Sequence, residues 1–182
     1  MFGSFPANDV ACITILLGSN DANEPESPGG QHVPLEEYAR NLTAIIAYLD
    51  GGIGIAKDRV VLMSPPNYFH EVYLANRTKP DIPVKSNARV GEYAAAAGRV
   101  ATEQGVTFLD LYSLFSKQPN SEELFSDGLH LSFSGAQLLH ANLSPLVVKK
   151  VEQYCGGGRQ LEQLINFPLW ADIDTSDPAK DL

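Results

Sequence analysis

Residues 10–21 read VACITILLGSND, an almost unbroken apolar run (Val10–Leu17) that breaks into a Gly-Ser-Asn-Asp turn. A strand whose both faces are covered carries such a run instead of alternating polar and apolar residues, which is the signature of a parallel sheet. Working outward, Pro34 opens a helix expected from about Leu35 to Leu49, with Leu35, Tyr38, Leu42, Ile45, Ile46 and Leu49 on one face and Gly51 and Gly52 as its stop. Arg59–Met63 (RVVLM) reads as a second strand, followed by an irregular excursion to about Lys85 that contains Pro80 and Pro83. Ser86 or Asn87 can cap a helix that runs to Gln104 and stops at Gly105. Val106–Leu111 (VTFLDL) is a third strand. A last helix should begin near Ser132 or Ser134, the latter pairing with Gln137 as a capping box, and run towards Tyr154 with a kink at Pro145.

Strand–helix alternation of this kind implies an α/β fold with right-handed crossovers. Ligand chemistry in such sheets gathers at the carboxyl ends of the strands. The expected organisation is one domain over residues 1–155 and a tail over 156–182 that keeps one apolar patch (Leu164, Ile165, Phe167, Leu169, Trp170) before turning acidic.

The chain has 182 residues, with 13 basic against 22 acidic side chains and a formal charge of −9. A surface that acidic repels phosphate backbones, so nucleic acid is an unexpected partner. No apolar stretch approaches the roughly 20 residues of a membrane span, and the start, MFGSFPAND, has no signal-peptide pattern. Two distant cysteines, Cys12 and Cys155, read as free thiols in a reducing compartment, and the expected location is cytoplasmic. The N-x-[ST] sites at Asn41, Asn76 and Asn142 are read as chance.

Two motifs carry chemistry. The first is the turn Gly18-Ser19-Asn20-Asp21, where Asn20 can direct its amide into the crevice as an oxyanion donor; the alternative is an Asx turn bonded only to its own backbone. The second is Asp127-Gly128-Leu129-His130. Three-residue spacing across a glycine can bring the carboxylate to the imidazole Nδ1, fixing the tautomer and leaving Nε2 as a general base. The alternative is a capping loop with an exposed histidine. Read together, each motif lies beyond a predicted strand and each supplies a different part of one acyl-transfer site.

The pairing resembles the SGNH (GDSL) hydrolases, in which G-x-N-D and D-x-x-H are the third and fifth blocks and occur in this order. The segments ITILLGSNDA, QHVPLEEYARNLTAII, RVVLMSPP, VGEYAAAAGRVA and LFSDGLHLSFSGAQLL are similar to the isoamyl-acetate-hydrolysing esterase group within that family, over roughly residues 10 to 155. Phe133 stands where relatives usually have Pro, and SPPN replaces a longer proline run. The resemblance implies a flavodoxin-like three-layer α/β/α sandwich with strand order 2-1-3-4-5. It makes Asn20 the oxyanion donor, His130 the base and Asp127 its orienting carboxylate, with Gly18 and Asp21 in support. The substrate would be a small neutral ester, and no metal or organic cofactor is implied.

The family's opening G-D-S block, which holds the nucleophilic serine, has no match in the sequence, so the chain is expected to be N-terminally truncated by about 60–80 residues, two strand–helix units. Gly3-Ser4 follows no strand, Ser19 occupies a variable position of the turn, and Ser64 ends the second strand without a nucleophilic role in relatives. None of the three is expected to substitute. The strand Val10–Leu17 would then be an open edge, a site for homo-oligomer formation or aggregation. Two other functions remain open: a non-catalytic paralogue that binds a ligand or partner, and a metal-dependent hydrolase with Asp21, Asp127 and His130 as ligands.

Overall fold

The computed structural model of the chain describes residues 7, 10–27, 30–76 and 85–155. Three short parallel strands, β1 (Ile13–Leu16), β2 (Val60–Met63) and β3 (Thr107–Leu109), form one sheet in the order β1-β2-β3. Ile13 pairs with Val60 and Leu16 with Met63; Val61 pairs with Thr107 and Met63 with Leu109. This consecutive order is what the last three positions of a 2-1-3-4-5 sheet give. Among the described residues, β1 pairs on one side only.

β2 sits in the middle and is buried along its whole length. Successive side chains point to opposite faces of a strand, and the packing follows that alternation. Val60 and Leu62 join Ile15, Tyr38, Leu42, Ile46, Tyr93 and Ala97 under the helices α1 (Leu35–Ala47) and α3 (Asn87–Gln104). Val61 and Met63 face the other way, onto Phe115 and Phe125 and onto Leu138, Leu139, Leu143 and Leu146 of α5 (Phe133–Cys155). The result is three layers, helix–sheet–helix, as the apolar runs of the strands imply.

Several boundaries differ from the sequence reading. Gly51 and Gly52 do not stop the first helix; α1 passes into a wider π turn over Tyr48–Ile53, which ends at Gly54 in a left-handed conformation (φ 85°). The excursion after β2 contains a two-turn helix, α2 (His70–Ala75), whereas Pro80 and Pro83 lie outside the described residues. Leu111 belongs not to the third strand but to α4 (Leu111–Ser116), because Asp110 caps a helix there by accepting from the Ser113 N–H at 3.1 Å. Ser132, not Ser134, caps α5, its Oγ accepting from the Gly135 N–H at 3.2 Å, and the helix continues through Pro145. Ser86 caps α3 and Gly105 ends it at φ 69°, as expected. His140 is exposed on α5. The tail 156–182 falls outside the described residues, as does the side chain of Cys155; Cys12 is a free thiol. No helix among the described residues is long and apolar enough to cross a membrane.

Burial on both faces makes β2 the costliest strand to disturb. Leu62→Ala is expected to lower unfolding free energy in urea by about 2–5 kcal/mol. Leu16→Ala, at a side chain 39% exposed, should cost less than about 1 kcal/mol. Equal losses for the two would contradict the layering.

Candidate active site

Both motifs lie at the carboxyl end of the sheet, held there by the segment that leaves β2. Residues 64–68 are buried yet form no regular structure, so their polar groups need fixed partners. Ser64 donates from Oγ to Asp110 Oδ1 (3.1 Å) and accepts from the Tyr112 N–H (3.0 Å). Its hydroxyl is thus spent on joining β2 to the α4 cap and does not face a crevice. Asn67 Nδ2 donates to Ser116 Oγ (2.8 Å), and the Tyr68 N–H donates to Asn87 Oδ1 (2.9 Å).

The turn after β1 leans on this segment. Gly18 adopts φ 113°, and a Cβ there would fall 2.8 Å from the Tyr38 hydroxyl and 3.2 Å from Pro65 Cγ. Glycine is therefore required twice over, by conformation and by space. Tyr38 Oη donates to the Leu17 carbonyl (3.1 Å), and burial, helped by the Asp21 charge, pushes its pKa up. The Ala22 N–H closes the turn onto the Gly18 carbonyl (3.0 Å). Asn20 sits at the exposed crest. Its backbone N–H has no backbone acceptor among the described residues, and the Ala22 N–H that an Asx turn would direct to Asn20 Oδ1 bonds the Gly18 carbonyl instead, so the self-bonded Asx turn is not what forms. Asp21 uses its backbone carbonyl to accept from His32 Nδ1 (3.1 Å) and the Val33 N–H (3.2 Å).

Asp127 and His130 do come together. Asp127 Oδ2 lies 2.8 Å from His130 Nδ1, while Oδ1 accepts from the backbone N–H groups of Leu129 (3.0 Å) and His130 (2.8 Å). Burial opposes the charge on Asp127, but the hydrogen bonds from the His130 backbone and ring and from Leu129 outweigh it and hold the carboxyl below its ordinary value. With the carboxylate on Nδ1, the His130 ring is 69% exposed and no hydroxyl among the described residues bonds its Nε2. Ser126 reaches only the His130 carbonyl.

This loop is not simply the one after β3; α4 and a 3₁₀ turn (Ser121–Leu124) intervene. A bridge between Phe125 and Leu131 pinches its base, and the Phe69 N–H donates to the Gly128 carbonyl at 2.9 Å. A Cβ on Gly128 (φ 82°) would lie 2.4 Å from the Phe69 carbonyl oxygen and 2.7 Å from the Tyr73 nitrogen. The His loop therefore docks on the start of α2. No hydrogen bond joins Asn20 to His130; their loops are connected through residues 64–73 and through Lys85, whose Nζ donates to the Ser19 carbonyl at 2.6 Å. The sequence reading missed Lys85, the Ser64–Asp110 link and the docking role of Gly128. Of these only Gly128 had a visible signal, a glycine between two candidate catalytic residues. Among the described residues, no three His, Cys, Asp or Glu side chains are placed to hold a metal.

Residues 2–138 match the GDSL-like lipase/acylhydrolase family. The chain belongs to that family. An isoamyl acetate-hydrolyzing esterase 1 homolog of Mus musculus is 35% identical over 173 residues, which are 94% of this chain and 65% of the mouse protein. This chain thus spans just under two thirds of that relative. A GDSL esterase/lipase of Arabidopsis thaliana is 34% identical over 177 residues, 93% of this chain and 69% of the plant protein. Among solved structures, a lipase/acylhydrolase from Enterococcus faecalis superposes with a TM-score of 0.56 at 24% identity, covering 79% of this chain and 62% of its own. A catalytic mutant of an acetylxylan esterase from Geobacillus stearothermophilus gives 0.55 at 18%, covering 78% and 61%. These two likenesses show the GDSL-type α/β/α fold.

The lowered Asp127 value fixes the sign of one pH effect. A carboxylate whose folded pKa lies below its unfolded one stabilises fully above the ordinary value, 3.8, and ceases to as pH falls through the depressed one. Asp127→Asn keeps an oxygen for the two backbone N–H groups and removes the charge. It should flatten the fall in melting temperature between roughly pH 5 and pH 2, and an unchanged acid limb would show that the pair is not formed. Gly128→Ala should cost about 1–3 kcal/mol of unfolding free energy, measured by the same melts.

Proposed function

We propose that this chain supplies the proton-transfer and oxyanion groups of a serine esterase acting on small, neutral carboxylic esters. The observation that carries this is the Asp127–His130 pair: a 2.8 Å contact on Nδ1, an exposed ring and an Nε2 that bonds no described residue. In the reaction, His130 takes the proton of an attacking serine hydroxyl and later gives it to the leaving alcohol. Asp127 keeps the proton on Nδ1 and stabilises the imidazolium. Asn20 donates to the oxygen that becomes negative in the tetrahedral intermediate. The curated relatives' names support an ester-cleaving role. In the Geobacillus neighbour, the catalytic mutants are at an aspartate and a histidine three positions apart, the spacing of Asp127 and His130.

The nucleophile in this reading lies outside the described residues, because no described serine bonds the imidazole and Ser64 is committed to Asp110. A form of the protein without that serine should turn over a short activated ester on the order of 10⁶-fold more slowly than one that bears it. A fluorophosphonate probe should label the latter at a serine other than Ser64. In the active protein, His130→Ala should lower kcat by about 10⁵–10⁶ and Asn20→Ala by about 10²–10³. Labelling at Ser64, or an Asn20→Ala variant with wild-type kcat, overturns the assignment. A folded protein that neither labels nor hydrolyses but binds ester analogues is instead a ligand-binding paralogue.

The same reading includes self-association through the edge of β1 that pairs with no described residue, where Leu16 and Leu17 are 39% and 47% exposed. Leu16→Lys should shift light-scattering mass towards the monomer. A wild-type monomer at high concentration removes this part alone.

A further inference from the structure

We propose that Lys85 is a positioning residue for the candidate oxyanion donor: its ammonium holds the Ser19 carbonyl and thereby sets the direction of Asn20. This rests on reading Asn20 as that donor. The Lys85 residue is only 4% exposed, and its Nζ donates to the Ser19 oxygen at 2.6 Å across 66 positions of sequence. It also stands 5.3 Å from the centre of the Tyr68 ring, on the segment that leaves β2. The lysine thus ties the β1 turn to the β2 segment, on which the His130 loop also docks.

The chemistry follows from one peptide plane. The Ser19 carbonyl and the Asn20 N–H belong to the same trans peptide and point in opposite directions. A cation gripping the carbonyl fixes that plane, so the Asn20 N–H and the bond to its side chain leave the turn at a set angle. The same cation draws electron density towards oxygen and makes the Asn20 N–H a stronger donor. That N–H has no partner among the described residues. A buried ammonium is expensive, and burial lowers the Lys85 pKa to about 8, with the neighbouring Asp21 charge acting to raise it. Tyr68, His70, Glu71 and Glu122 line with Lys85 a cavity of about 380 Å³, and among the described residues they and Asp21 are the charged or titratable groups around it. A lysine doing no more than filling space would be replaceable by an apolar side chain.

The test is carbon-detected NMR of the full chain. The Ser19 carbonyl ¹³C and Asn20 ¹⁵N shifts should titrate with a midpoint near 8 in the wild type. In Lys85→Met that titration should vanish, and in Lys85→Arg the shifts should stay near the low-pH wild-type values without a midpoint below about 12. If Lys85→Met does not fold, the wild type and Lys85→Arg decide the matter between them. Absence of any alkaline midpoint at these two nuclei in the wild type, or its persistence in Lys85→Met, overturns the proposal. In a serine-bearing protein that turns over, Lys85→Met should lower kcat roughly ten- to hundredfold with KM little changed, and Lys85→Arg should restore most of it. A uniform rise in KM with unchanged kcat overturns the positioning role. A wild-type protein with no turnover counts against the esterase reading, and the carbonyl titration then judges Lys85 separately.

Discussion

The constraint on which the molecule depends is the burial of β2 and of the five residues that leave it. A strand covered on both faces and paired on both edges has its backbone satisfied by the ladders, so its side chains are free to contribute burial. An irregular segment at the same depth loses stability for each polar group left without a partner. Ser64, Asn67, Asn87, Asp110 and Ser116 provide partners for the segment, and the buried Asn67 Oδ1 is left without one among the described residues. The hydrogen bonds run to α3 and α4, so the segment is locked to both helix layers at the end of the sheet where parallel α/β proteins place their chemistry.

That lock explains how two motifs more than a hundred residues apart become parts of one region. The Gly18–Asp21 turn rests on Pro65 and Tyr38 and is held by Lys85; the Asp127–His130 loop rests on Phe69 and Tyr73. Neither loop organises the other. Each is shaped against the exit from β2, and glycines at 18 and 128 permit the approach because any Cβ would collide. The Asp127 carboxylate needs no deep burial to stay ionised, since two N–H groups of its own loop and the imidazole already satisfy it.

The apolar runs of the strands, the caps at Ser86 and Gly105 and the D-x-x-H spacing were legible because each is a local pattern with a local cause. The Asp127–His130 contact in particular follows from three-residue spacing around a glycine. What escaped the sequence reading depends on tertiary packing. The Gly51–Gly52 pair looked like a stop, yet the helix widened into a π turn because Leu49 still had the core to pack against. Leu111 looked like strand because its apolar character is the same in either element; the Asp110 side chain, bonded to Ser64 far away in sequence, made it helix. Lys85 carried no pattern at all, since a lone lysine after a proline-rich stretch reads as solvent-exposed.

Docking of the His130 loop on the first turn of α2 has an evolutionary corollary. Phe69, His70, Glu71 and Val72 wall a cavity, and Phe69 and Tyr73 also bear Gly128, which shapes the Asp127–His130 loop. Any substitution that moves α2 to reshape the cavity also moves the loop that carries the Asp127–His130 pair. Cavity shape and the geometry of the Asp127–His130 pair are therefore coupled through one short helix, and a change in either is inherited with a change in the other.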